Sequence, residues 1–208
     1  MPIQRAGSAK GADTTSAGSS FNLTISSGLN LISYVGVGHL GANDADLTGV
    51  TVGGVAATKI VSIQRSDLVA WVSLWQLIAP ASGVVSVAVT LNASIRHIVM
   101  AAAYMGALQT SQPDGSDSDN AGAPVALSVT TTIDNDWGIV FGQGAGINAG
   151  TNVNTLESEA SFGSLIGDSN GPITPAGAFG MNLNQCSAGV MIAFKPEPFD
   201  PTRMMLVF

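Results

Sequence analysis

The stretch Val69-Ala-Trp-Val-Ser-Leu-Trp-Gln-Leu-Ile78, then Ala79-Pro-Ala-Ser-Gly83, then Val84-Val-Ser-Val-Ala-Val-Thr-Leu91, decides the fold class. In its last part Val85, Val87, Val89 and Leu91 alternate with Ser86, Ala88 and Thr90, the two-residue period of a strand with one buried face. Its first part is apolar at both parities, so it predicts a central strand covered on both faces. Pro80 and Gly83 punctuate the two. Working outward, Phe21 to Ile25 alternates in the same way and Leu29 to Val37 is a further strand candidate. Val50 to Val52, Gly53-Gly54 and Val55 to Ile63 read as a hairpin, because paired glycines supply the positive φ of a tight turn. Ile95 to Met105 is read as a strand despite its run of alanines, being β-branched at its start and closed by Gly106.

Further candidates are Pro124 to Thr132, Asp136 to Gly142, Asn152 to Glu159, Ser161 to Ile166, Ala178 to Leu183 and Ala188 to Phe194. Strands recurring about every 10–15 residues predict an all-β, antiparallel β-sandwich, jelly-roll-like, of about 8–11 strands. The sandwich is expected to be one domain over 21–195. Residues 1–20, small and polar, predict a flexible N-terminal arm. Gln109 to Ala123 reads as a long polar loop. Residues 196–208, with Pro196, Pro198 and Pro201, predict an extended tail that leaves the sandwich.

The 208 residues are 46% hydrophobic and only 10% charged, against about 25% charged in an ordinary soluble domain. Three Glu and three Lys are too few to build helix surfaces, which excludes a mainly helical protein. The net charge is −7, and the seven basic residues stand singly. No run of them could track phosphates, which argues against nucleic-acid and anionic-membrane partners. The longest apolar stretch, Ile98 to Leu108, falls well short of the ~20 residues of a bilayer span. The first twenty residues hold no apolar core of a secretory signal, so synthesis in a cytoplasm is expected. Cys186, the single cysteine, is expected to be a small buried hydrophobe.

Together VTVGGVAATKI (50–60), VSLWQLIAPASGVVSVAVTL (72–91), AAAYMG (101–106) and VMIAFKP (190–196) resemble a β-sandwich domain recurrent in tailed-phage virion and bacterial surface proteins. In that pattern a V-x-GG hairpin precedes an LW-x-L-x-AP strand end, a Gly turn and a V-x-V-x-L strand, and the last strand closes on I-x-x-K-P. The resemblance covers about half of the chain. It departs after Gly106, where Ala107-Leu-Gln stands in place of a Val-Asp-Gln-type turn. The residues that carry it are turn-makers (Gly53, Gly54, Pro80, Gly83) and core (Trp75, Leu77), and it implies a structural module of a virion or cell surface.

Motifs with chemical content are few. Gly167-Asp-Ser-Asn-Gly171 fits G-x-S-x-G, and the order His39, Asp67, Ser169 suits a chymotrypsin-like protease. Pro172, Pro175 and Gly177 preclude the helix that a hydrolase elbow must open, and Asn170 stands where the protease loop has Gly, so a surface turn is the reading adopted. Gly142, Gly144 and Gly146 follow a strand, but no helix comes after them to bind a pyrophosphate. Asp114, Asp117 and Asp119 are the weak metal candidates, with hard oxygens suited to calcium. Their spacing is not that of an EF-hand, and they read as a solvated loop tip. His39 and His97 are isolated, which leaves no zinc site. Trp71 and Trp75 share one strand face, as core residues or as a sugar-stacking platform.

These features lead to an expected non-enzymatic virion structural protein without cofactors. It is read as a capsid decoration (cement) subunit that binds the major capsid protein or another virion protein and assembles as a homo-oligomer, a trimer by analogy. Phe199, Met204, Met205, Leu206, Val207 and Phe208 are the expected docking residues, too apolar to be left in water. The alternatives are a carbohydrate- or receptor-binding module and, more remotely, a serine hydrolase.

Overall fold

Strands covered on both faces dictate the architecture of the computed structural model, which describes residues 2–66 and 69–198. The elements in chain order begin with β1 (Gln4–Lys10), β2 (Thr14–Ile25), β3 (Ile32–His39), β4 (Leu47–Val52), β5 (Val55–Ala56), β6 (Thr58–Gln64), β7 (Trp71–Ile78) and β8 (Gly83–Met105). They continue with β9 (Gly115–Asp119), β10 (Val125–Thr130), β11 (Trp137–Gln143), β12 (Asn148–Ala149), β13 (Asn154–Glu159), β14 (Ser164–Asp168), β15 (Ala178–Asn184) and β16 (Ala188–Phe194). The only helical element among the described residues is a single 3-10 turn, Asp44–Asp46.

The fold is all-β and antiparallel, as the alternation predicts, and its strands form three sheets. The largest runs β5-β4-β8-β3-β7-β6, with β1 and β2 also on β8. A five-stranded sheet runs β13-β14-β11-β16-β9 and a three-stranded one β10-β15-β12. The 23-residue β8 unites the two strands expected at Val85–Leu91 and Ile95–Met105. Its first half lies between β2 and β4, and its second half between β3 and β1. The large sheet therefore curls on itself around a core of Val35, Val37, Trp75, Val87, Val89, Val99 and Ala101. The predicted Gly53-Gly54 turn joins β4 to β5, with φ of 61° and 80°.

Opposite parities of the same strands build the next layer. Tyr34, Leu74, Met100 and Tyr104 face away from that first core and meet Phe141, Ile192 and Phe194 of the five-stranded sheet. The remaining parity of β11 and β16, Val140, Met191 and Ala193, packs on Leu127, Met181 and Leu183 of the three-stranded sheet. Three apolar cores thus alternate with sheet layers, which explains why β3, β7, β11 and β16 lack polar alternation.

Four expectations are corrected. The N-terminal segment is not a flexible arm within the described residues, because β1 and β2 form ladders with β8. Its side chains bring few apolar atoms, but its backbone is paired and its charged groups reach distant strands. Arg5 grips Asp168 through Nε and a terminal nitrogen, each at 2.6 Å, and Arg96 binds Asp13. Lys10 pairs with Glu159 at 3.0 Å. The polar segment 109–123 likewise contains β9, which pairs with β16. Finally, the sixteen strands among the described residues exceed the predicted eight to eleven, since several are polar or only two residues long. The tail does not leave at residue 196: Pro196 bridges to Ala107, and Glu197 donates its N–H to the Gly106 carbonyl. Phe199, Met204, Met205, Leu206, Val207 and Phe208 lie outside the described residues.

Candidate functional site

The five-stranded sheet brings together, at one end, two carboxyl groups and an amine that lie far apart in the sequence. Asp114 precedes β9, Asp136 precedes β11 and Lys195 follows β16. Pairing of Gly115 with Ala193 sets Asp114 and Lys195 side by side, and the Asp114 N–H donates to the Ala193 carbonyl at 2.8 Å. The Lys195 N–H donates to Gln112 Oε1 at 3.0 Å, and Gln112 returns its amide to the Lys195 carbonyl at 2.8 Å. Both backbones are therefore fixed. Lys195 Nζ stands 2.9 Å from Asp114 Oδ1, with side-chain exposures of 20% and 1%.

Thr132 donates its N–H to Asp114 Oδ2 at 2.5 Å and its hydroxyl to Oδ1 at 2.6 Å. Burial works against charge on Asp114. The bonds from Asp136, Thr132 and Lys195 outweigh it and hold this carboxyl below its usual range. Asp136 is fully buried, and neither of its oxygens finds a donor. The group that Asp136 faces is the Asp114 carboxylate, an acceptor, so the pair is completed by a proton that Asp136 holds and donates. Burial first, and that hydrogen bond second, push the Asp136 carboxyl up to about 8. Nearby, Tyr34, Tyr104, Trp137 and Phe194 form a cluster of rings with centroids 4.9–6.4 Å apart.

The sign of the resulting pH dependence follows from linkage. Asp136 binds a proton in the folded state up to about 8 but is ionised above 3.8 when unfolded, so it stabilises at low pH and that contribution is lost as pH rises to about 8. His39 has the opposite sign: burial lowers it from 6.5 to about 4, so its contribution is lost as pH falls through that window. The two slopes oppose each other below 6.5, and Asp136 acts alone from there to about 8. Stability is expected to fall by about 1–2 kcal/mol across that upper window, at up to ~1.4 kcal/mol per pH unit. Urea unfolding at several pH values, with and without Asp136→Asn in a Lys195→Arg background that keeps the ion pair to Asp114, checks this. The variant is expected to lose the decline, and an unchanged decline would assign it to another group.

The sequence-selected residues fare differently. Asp117 and Asp119 do not join Asp114 around an ion. Asp117 accepts the N–H of Ser128, and Asp119 accepts those of Ala121 and Ala126. These carboxylates cap outward amides of β10, closing a strand edge that would otherwise be open. No cluster of metal-ligating side chains occurs among the described residues. The protease order is not assembled. Gly36 and Gly38 back onto Phe141 and Gln143, which puts His39 at the Gln143 end of β11. Ser169 instead bonds to Gly138 near the other end, five residues or ~16 Å along the strand. The Ser169 hydroxyl donates to the Gly171 carbonyl at 2.7 Å, as in a turn. His39 Nδ1 accepts the Gly41 N–H, and Asp67 lies outside the described residues.

Trp75 is core: it is buried, its indole N–H donates to Ser73, and Lys59 covers its ring. Cys186 is buried as a free thiol that donates to the Gln143 and Ala188 carbonyls, and burial pushes it up to about 12. Sequence reading missed Asp136 and Lys195 as partners of Asp114. Its one accessible signal was Asp136, a carboxylate directly before the apolar run of β11. No protein-family model matches the sequence, and a comparison with curated proteins finds no match.

Proposed function

We propose that this protein is a non-enzymatic structural subunit of a phage virion, a decoration protein that binds the major capsid shell. The observation that carries the reading is where the chemically capable groups go. Asp117, Asp119, Ser169, His39 and Trp75 are all engaged inside the fold, as caps, turn bonds and core. Stacked sheets with three apolar cores suit a rigid building block, and the resemblance of residues 50–106 and 190–196 to phage sandwich domains points the same way.

The partner contact is assigned to Phe199, Met204, Met205, Leu206, Val207 and Phe208, which extend the chain beyond Pro198. Methionine adapts to irregular grooves. At ~25 cal/mol per Å², burying about 60 Å² of apolar surface already gives a tenfold change in affinity. Deleting 199–208 is expected to leave a cooperatively folding protein whose co-sedimentation with shells of the major capsid protein weakens at least about tenfold. Unaltered binding by the truncated chain refutes the docking role. So does a truncated chain that no longer folds, because the tail would then belong to the fold itself.

A further inference from the structure

We infer that Lys195 and Asp114 are the two ends of an autocatalytic intramolecular cross-link, an amide between Nζ and Cγ, with Asp136 as its proton carrier. The inference goes beyond the virion reading and does not depend on it.

Three observations carry it. The amine and the carboxyl are already in contact at 2.9 Å, on chain segments that β9 and β16 hold in register. Such placement replaces a bimolecular encounter by an intramolecular one, with effective molarities that reach about 10⁵ M or more for well-aligned groups. The carboxyl is fixed at Oδ2 by the N–H of Thr132 and at Oδ1, the oxygen that Lys195 meets, by the Thr132 hydroxyl, donors that also stabilise negative charge developing on its oxygens. The third observation is Asp136, whose fully buried oxygens find no donor and which shares a hydrogen bond with the Asp114 carboxyl. An apolar residue there would avoid the desolvation of a buried acid beside an ion pair, so stability alone does not give Asp136 its purpose. As a neutral acid beside the bond to be broken, it has one.

The step balances without any outside reagent. Lys195 enters as an ammonium and Asp114 as a carboxylate. Proton transfer within the pair gives the amine, whose lone pair attacks Cγ and forms the C–N bond. Asp136 gives its proton to the departing carboxyl oxygen and takes one from the nitrogen, so it is regenerated. The C–O bond breaks, and one water leaves. Burial of Asp114 and Asp136 keeps bulk water from reversing the reaction. The product joins the end of β16, directly before the tail, to the start of β9.

Intact-mass measurement of the denatured, full-length protein tests this. The expected mass is one water below that of the sequence, and proteolysis should release a branched peptide joining the segments around Asp114 and Lys195. Lys195→Arg keeps the ion pair but should show the full sequence mass. Asp136→Asn should slow conversion at least tenfold. Asp114→Asn should still react, now losing ammonia instead of water. Wild-type protein that keeps its full mass after prolonged incubation overturns the inference. So does a water loss that persists in Lys195→Arg, since that would be a succinimide at Asp114-Gly115.

Discussion

Phe141→Ala is expected to lower the stability of the protein by about 3–5 kcal/mol, read as a shifted urea midpoint with an unchanged slope. Phe141 is fully buried on β11, in the core between the large sheet and the five-stranded sheet. Its ring lies so close to β3 that a Cβ on Gly36 would stand 2.4 Å from two of its atoms. The glycine is there because the ring needs the space. Gly36→Ala alone is therefore expected to be destabilising by overpacking, typically by about 1–3 kcal/mol. In the double variant the new methyl occupies part of the vacated volume, so the combined loss is expected to fall clearly below the sum of the single losses. Additive losses would mean that the two layers do not meet at this point.

The second large effect is expected at the ion pair that anchors β1. Asp168 is fully buried, and it accepts two bonds from Arg5, one from the Tyr104 hydroxyl and one from the Asn170 N–H. Arg5→Met removes the cation and leaves that carboxylate without its counter-charge. Removing one partner of a buried pair costs about 3–5 kcal/mol. The Arg5 side chain keeps 36% of its surface exposed, so screening by water reduces the expected loss to about 2–3 kcal/mol. Adding Asp168→Asn removes the stranded charge and should recover part of the loss. Hydrogen exchange of the β1 amides should accelerate in Arg5→Met more than that of β16. Equal exchange in both strands would show that Arg5 does not hold β1 in place.

These two sites also mark what a reader of the sequence can and cannot see. The runs at Trp71–Ile78, Trp137–Gln143 and Ala188–Phe194 announce themselves, because a strand between two cores needs apolar groups at both parities. The alternation of Val85 to Leu91 gives its buried face directly. By contrast, Gln4–Lys10 has no periodic signal: it is held by backbone pairing to β8 and by side chains up to 165 residues away. The segment Gly115–Asp119 looks like solvent-exposed loop because its carboxylates bind amides of another strand rather than water. The Asp114, Asp136 and Lys195 cluster was invisible for the same reason. Asp114 shows the sequence reader its neighbours Asp117 and Asp119, whereas its chemical partners arrive only through strand register.

A structural role leaves one quantity to decide it, which is how many copies of the protein a particle holds. Quantitative mass spectrometry of particles purified from cells that carry the gene in its native setting measures this against the major shell protein. The account predicts a copy number comparable with that of the shell protein, as surface decoration requires. Absence from the particles, or only a handful of copies in each, would contradict it.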